Sequence, residues 1–420
     1  MLKRMPWPVI LQIVPELSAG GAERTTIEMA EAITLGGGRA LVVSAGGRLE
    51  KDLSDAGGEL IRFPAGTKNP AAILFNSLRL AGIIRQRGVS LVHARSRAPA
   101  WSALMAARRT RRCFVTTYHG IYNQEGHLKA FYNSVMARAD AVICNSHYTA
   151  KIVKERHPKG EARVGVIYRG VDLDRFDPSA VSSERVQALR EKWGIPAGRR
   201  IVLLPARLTR WKGQAVLIEA AAELLARGEF ADVIFVLAGD DQGRSPYRAE
   251  LETLIKNRSL PGRVIIVGHC EDMPAAFKAA SFTVLPSIEA EAFGRSAIES
   301  QAMGCPVIAS NIGAFPETVS QEPGLLARVE SGPAGAGSSL STTSNWVPWL
   351  FEPGNASALT QSLRFALALD HETVDALRHR SMERTRREFS SRALQTQTLD
   401  VYDRLLGTQL AQTFKTASKR

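Results

Sequence analysis

Two carboxylates eight positions apart, Glu291 and Glu299, bracket a stretch that joins a buried apolar strand to an amphipathic helix. Eight helical residues make just over two turns. A turn tightening near Phe293-Gly294 therefore leaves Glu291 at the helix mouth and sets Glu299 within the helix. One acid can then meet the reacting end of a ligand and the other a remoter hydroxyl. The first turn also aims unpaired backbone N–H groups at an anion. Arg207 and Lys212 follow the apolar run 201–205 at a spacing that lets both cations address one diphosphate, the guanidinium bidentately and the ammonium as a compact charge. Either pair alone would read as solvated surface charge. Together they suit a phosphorylated sugar.

Smaller signals accompany these. Gly20-Gly21 follows the first apolar run and precedes a helix, a place where backbone N–H groups approach a phosphate, although the G-x-G-x-x-G spacing of dinucleotide binding is missing. Glu23 reads as a first-turn carboxylate favoured by the helix dipole. His119 closes the apolar run 114–118 and precedes Gly120, so it is expected to project from the carboxyl end of a parallel strand. His93 and His127 lack such a setting and read as structural. Asp172-Leu-Asp174 has the Asp-x-Asp form of metal-dependent transferases, but three-residue patterns arise by chance, and it is read as structural with no metal expected.

The run from Glu291 to Ser310, followed by Gly313 and Pro316-Glu317, resembles the Glu-x7-Glu signature of the retaining glycosyltransferases of family 4, in particular bacterial envelope and lipopolysaccharide-core enzymes. Further pieces match in order along nearly the whole chain: Gly20 to Glu23, His119-Gly120, Val166 to Asp172, Arg207 with Lys212, and Gly268-His269. The resemblance implies a nucleotide-diphosphate sugar donor (UDP-, GDP- or ADP-linked) and a glycan or lipid-linked acceptor, with no metal and no cofactor. It implies catalytic roles for His119, Arg207, Lys212 and Glu291, with His119 beside the donor sugar and Glu291 on a hydroxyl of the transferred hexose. It assigns donor binding to Gly20, Gly21, His269, Phe293, Gly294 and Glu299, the last on the ribose hydroxyls. Retention ordinarily calls for a nucleophilic carboxylate on the opposite face. No residue offers itself, and the resemblance implies a front-face route in which the leaving phosphate accepts the acceptor's proton. Two alternatives remain: a soluble synthase acting on a small acceptor, and a nucleotide-sugar-binding protein without turnover.

These residues need strand ends to hold them. Apolar runs at 9–14, 40–43, 89–93, 114–117, 140–144 and 164–167 alternate with amphipathic helical stretches, and the pattern restarts at 201–205, 233–238, 264–267, 282–285, 306–309 and 348–351. The expected fold is α/β, two doubly wound Rossmann-like domains facing across a cleft; the resemblance implies that this is the GT-B architecture, with a C-terminal helix crossing back to the first domain. The expected boundaries are 1–180 for an acceptor-binding domain, 181–385 for a nucleotide-sugar-binding domain and 386–420 for the crossover helix and tail. Residues 371–407 read as one helical segment. Residues 322–345 are rich in Gly, Ser and Pro and read as an inserted loop without chemistry.

At 420 residues, 45% hydrophobic and 23% charged, the chain is ordinary globular protein too long for one core. No run approaches the roughly 20 apolar residues of a spanning helix. The opening Met1-Leu-Lys-Arg and the run 9–14 imitate a signal peptide, but prolines interrupt them and the run reads as a first strand. Four dispersed cysteines suit buried thiols in a reducing cytoplasm.

The net charge of +13 is uneven. Residues 1–180 hold 26 Lys+Arg against 15 Asp+Glu, whereas residues 181–420 hold 28 against 26, so the excess is +11 and +2 respectively. No acidic residue occurs from Leu60 to Gly120. No nucleic-acid-binding motif accompanies the basic stretch, and nucleic acid is not expected as a partner. An anionic membrane surface or a phosphorylated acceptor is. The amphipathic stretch from Glu125 to Arg138, with Leu128, Phe131, Tyr132 and Val135 along one side, reads as core or as a membrane-surface element. The expected location is cytoplasmic, or peripheral on the inner face of the cytoplasmic membrane.

Overall fold

Val9, Leu11 and Ile13 face one core and Ile10 and Val14 another, so the first strand, β1 (Val9–Ile13), is buried on both sides. That is the signature of a central parallel strand covered by helices on each face. The computed structural model describes residues 7–18, 21–124, 126–241, 243, 245–321 and 347–417. Gly20, Glu125 and the insertion 322–345 lie outside the described residues. The chain divides into two compact units, one formed by 1–170 with 391–420 and the other by 171–390.

In the first unit β1 is followed by α1 (Gly21–Leu35), β2 (Arg39–Ser44), α2 (Glu50–Asp55), β3 (Glu59–Arg62), α3 (Pro70–Gln86) and β4 (Leu91–Ala94). Then come α4 (Arg97–Thr110), β5 (Cys113–Tyr118), α5 (His127–Asn133), β6 (Ala141–Cys144), α6 (His147–Arg156) and β7 (Val164–Val166). All strands are parallel in the order β3-β2-β1-β4-β5-β6-β7. The order reverses between β1 and β4, which places the ligand crevice of a doubly wound sheet beyond their carboxyl ends. The edge strand β3 was not expected from sequence. Its four residues, Glu-Leu-Ile-Arg, carry a charge at each end and offer no apolar run.

The second unit runs α7 (Ser183–Lys192), β8 (Arg200–Pro205), α8 (Gln214–Leu225), β9 (Val233–Ala238), α9 (Ser245–Asn257) and β10 (Val264–Gly268). It continues with α10 (Met273–Ala279), β11 (Phe282–Leu285), α11 (Arg295–Ala302), β12 (Val307–Ser310), α12 (Phe315–Thr318) and β13 (Leu350–Phe351). The sheet order is β10-β9-β8-β11-β12-β13, again all parallel, and the switch falls between β8 and β11.

The segment expected as one helix over 371–407 is two, His371–Glu388 and Ser391–Leu406. Ser390 pairs with Val171 in an isolated bridge, and the Phe389 carbonyl accepts from the Val171 N–H at 2.7 Å, which takes this backbone out of the helical ladder. The second helix crosses back to the first unit. Leu394, Leu399 and Tyr402, with Leu410 and Phe414 of the following helix Leu410–Ala417, complete the core that Ile10 and Val14 begin. A polar seam runs through that core. The fully buried Tyr402 hydroxyl meets His93 Nδ1 at 2.6 Å, and His93 Nε2 meets Thr117 Oγ1 at 2.8 Å, so His93 is structural.

Candidate active site

In the second unit, chemistry gathers at the switch point between β8 and β11. The loop after β8 runs through Arg207 into a single turn, Arg210–Lys212, and ends at Gly213 with φ +73°. Any side chain at Gly213 would collide with the Pro286 carbonyl, and Ile288 N–H donates to the Trp211 carbonyl at 2.8 Å. The loops after β8 and β11 are therefore laid against each other, at a distance only glycine permits. Gln214, fully buried, donates from Nε2 to the Arg207 carbonyl at 2.8 Å and fixes the start of this loop.

That contact delivers Lys212 to Glu291. Lys212 Nζ pairs with Glu291 Oε1, Ser287 Oγ donates to the same oxygen at 2.9 Å, and the ammonium sits 4.2 Å from the Trp211 ring centroid. The pair is largely withdrawn from water, with side chains 17% and 15% exposed. The Glu291 backbone is held as well: its carbonyl accepts from Ala314 N–H at 2.9 Å, and a side chain at Gly313 (φ +65°) would strike it. A buried ion pair with a supporting hydroxyl, a π face and a clamped backbone is a preorganised charge site.

Gly294 (φ +77°) packs flush against the Phe315 ring and starts α11, which places Glu291 ahead of the helix and Glu299 in its second turn, paired with Arg295 at 2.9 Å. Ser296 Oγ reaches the Pro205 carbonyl at 3.4 Å, tying the mouth of α11 to the end of β8. Phe293 is buried, and its ring packs inward, 6.1 Å from that of Phe389. Arg207 is exposed on the same loop as Lys212. His269 is exposed after the edge strand β10, two strands from β8 and hence roughly 10 Å across the sheet. Buried Thr209, between Arg207 and Lys212, has a hydroxyl with no partner among the described residues. Asp172 caps its own turn, its Oδ1 accepting from Asp174 N–H at 3.2 Å and Arg175 N–H at 3.1 Å, in keeping with its structural reading.

The first unit collects a different set at its own strand ends. His119 follows β5, and both ring nitrogens are buried without a partner among the described residues. Burial first, then the neighbouring Arg169 and Arg95 guanidiniums, hold its pKa well below the ordinary histidine value, so the ring is neutral. Arg95, itself buried after β4, donates to Gln12 Oε1 at 2.9 and 2.7 Å. Gly21 opens α1, and any side chain there would run into the Arg169 guanidinium.

Sequence reasoning missed Ser287, Trp211 and Arg95 as contributors. The first two act through a contact between loops far apart in sequence. Arg95 did carry a signal, a charge placed directly after the apolar run 89–93.

Two all-parallel, doubly wound units with a helix returning to the first define the GT-B class of fold. A solved glycosyltransferase from Rickettsia africae superposes with a TM-score of 0.81 at 32% identity, covering 96% of this chain and 99% of that one. The family descriptions Glycosyltransferase Family 4, over residues 19–175, and Glycosyl transferases group 1, over 186–331, both match. The chain belongs to the family 4 glycosyltransferases. HepE of Anabaena, solved in complex with UDP-glucose, shares the fold with a TM-score of 0.72 at 22% identity, covering 94% of this chain and 99% of that one. A curated relative from Salinispora arenicola, D-inositol 3-phosphate glycosyltransferase, is 34% identical over 190 residues, 43% of this chain and 41% of its own. The chain spans less than half the length of such curated relatives.

Proposed function

We propose that the protein is a retaining, metal-independent hexosyltransferase that moves a sugar from a nucleoside diphosphate to a lipid-linked or lipopolysaccharide-core glycan at the inner face of the cytoplasmic membrane. The observation that carries the catalytic part is the Lys212–Glu291 pair at the β8/β11 switch point, supported by Ser287 and Trp211.

A diphosphate leaving group gains negative charge as the sugar ring gains positive charge. Lys212 and Arg207 meet the first demand by stabilising the departing phosphate, the task a metal performs elsewhere. Glu291 holds a hydroxyl of the transferred hexose and Glu299 the ribose. Gly21 and His119 serve the donor as the resemblance implies. The bond between the anomeric carbon and the phosphate oxygen breaks, the bond to the acceptor oxygen forms on the same face, and the acceptor's proton passes to the departing phosphate. No protein nucleophile is needed.

The envelope acceptor rests on the excess of +11 in residues 1–180. The same charge, with the inositol phosphate in the curated relative's name, favours a second reading in which the acceptor is a small phosphorylated molecule.

A thermal-shift screen of UDP, GDP, ADP and their sugars, followed by donor hydrolysis with and without EDTA, tests the donor half. One nucleotide should stabilise the chain by several degrees, and hydrolysis should survive EDTA. A strict divalent-metal requirement would overturn the metal-free mechanism. Glu299→Ala should chiefly weaken nucleotide binding and Glu291→Ala chiefly slow turnover; equal losses of nucleotide affinity would show the roles are divided wrongly.

A further inference from the structure

The outward face of α3 is apolar where a helix surface is ordinarily polar. Leu74, Phe75 and Leu78 project from it at 47 to 60% exposure, and Arg79 and Arg85 continue the same stripe. Two helices further on, α5 presents Leu128 at 88% and Phe131 at 59% exposure.

The helix between them, α4, joins the two patches. Its Ser102 Oγ donates to the Ile73 carbonyl of α3 at 3.0 Å, and the preceding Trp101 stacks on Phe131 at 5.2 Å and donates from Nε1 to the Tyr132 carbonyl at 3.0 Å. α3, α4 and α5 follow the carboxyl ends of β3, β4 and β5 in turn, so Leu74, Phe75, Leu128 and Phe131, all in the amino-terminal parts of their helices, lie toward one rim of the first unit. The stretch Glu125 to Arg138 is not the single core stripe it resembles in sequence: Val135 is buried while Leu128 and Phe131 face out.

The charge beside the apolar side chains has one sign. α3, α4 and α5 contain no Asp or Glu, and they carry Arg79, Arg97 and Lys129 here; Arg108 and Arg109 lie at the far end of α4, where Arg108 pairs with Asp140 at 2.8 Å. Guanidiniums also sit over the aromatic rings, Arg79 5.9 Å from Phe75 and Arg138 5.3 Å from Phe131, which brings cations to the apolar side chains themselves. A surface of this kind does not suit a second copy of itself, because a two-fold interface would set cations against cations. Nor does it suit nucleic acid, whose phosphates meet cations but leave large aliphatic side chains in water. Large apolar side chains ringed by cations match the boundary between acyl chains and anionic headgroups.

We infer that this α3–α4–α5 rim docks the first unit on an anionic lipid surface, with Leu74, Phe75, Leu78, Leu128 and Phe131 entering the acyl boundary and the flanking cations holding the headgroups. The inference deepens the lipid-linked-acceptor reading and rests on it for the purpose of docking, whereas lipid binding is measured without any acceptor.

Sedimentation of the full chain with vesicles of phosphatidylglycerol and phosphatidylethanolamine, and with pure phosphatidylcholine, tests it. Binding to the first should be strong at low salt and fall as salt screens the headgroups; binding to the second should be weak. The variant Leu74→Ser/Phe75→Ser, and separately Leu128→Ser/Phe131→Ser, should each lose roughly tenfold in vesicle affinity, with melting temperature and donor hydrolysis unchanged. Failure of the wild-type chain to sediment at low salt overturns the docking surface, as does wild-type affinity in both variants or a change of oligomeric state in place of lipid binding. Donor hydrolysis in the same samples reports on the glycosyltransferase reading independently.

Discussion

Both units wind a parallel sheet around one switch point, and they load it differently. In the second unit the β8 and β11 loops bring a cation to a carboxylate, Lys212 to Glu291, and glycine-permitted contacts at Gly213 and Gly313 hold the pair in place. In the first unit the strand ends carry His119 with Arg95 and Arg169, two guanidiniums around an imidazole that burial keeps neutral. Lys212 and Glu291 compensate each other's charge within one largely buried pair. The first unit's set is net positive. The contrast also bears on stability: the second unit's set holds a largely buried ion pair, and the first unit holds histidines that burial keeps uncharged.

The largest expected effect tests whether the ion pair is functional or merely structural. Lys212→Met and Glu291→Gln should each lower turnover by about a hundredfold or more. Each should also cost up to about 2 kcal/mol of stability, because one charge is left half-buried without its partner. The double variant removes both charges, so its stability should return towards wild type while its turnover stays low. A double variant as active as wild type would reduce the pair to a structural bond and dissolve the contrast between the units.

A smaller effect sharpens the difference in stability. His93 and His119 both have pKa values well below the ordinary histidine value, burial being the first cause in each. The unfolded chain therefore takes up protons below about pH 6.5 that the folded unit refuses, and stability falls with pH by up to about 1.4 kcal/mol per pH unit for each such group. The second unit's histidines, His269, His371 and His379, are exposed. Hydrogen exchange at pH 7.5, 6.5 and 5.5 should show amide protection in β1, β4 and β5 fading before that in β8 and β11, and His93→Gln should flatten the trend. Loss of protection in the second unit first would reverse the assignment.

Local spacing made much of this architecture legible, and side-chain partnership was not. The position of Glu299 within α11 follows from eight residues and one glycine, and among the described residues twelve of the thirteen strands fall on apolar runs. β3 escaped because an edge strand needs no apolar run, and the break at Phe389 escaped because its cause is a bond to Val171, more than two hundred residues away. The apolar face of α3 was hidden by its own composition, since Leu74, Phe75 and Leu78 share the helix with buried Ile73, Leu80 and Ile84 and only packing shows which set faces out. The pairing of Lys212 with Glu291 was invisible for a similar reason. Both residues were legible as ligand groups, but the loop contact that joins them depends on a missing side chain at Gly213.

The smallest expected effect concerns Ser287, which sequence gave no reason to notice. It is buried and donates to the Glu291 oxygen that Lys212 also engages. Ser287→Ala removes one of two donors from that carboxylate, a net loss of about 1 kcal/mol for a hydrogen bond to a charged acceptor whose other partner survives. If Glu291 faces the sugar, this loosening should appear as roughly a severalfold fall in kcat for donor hydrolysis, with affinity for the free nucleoside diphosphate unchanged. Calorimetric titration of the nucleoside diphosphate alongside steady-state rates separates the two quantities. Weakened nucleotide binding at an unchanged rate would mean that Glu291 serves the nucleotide, and the division of labour with Glu299 would have to be exchanged.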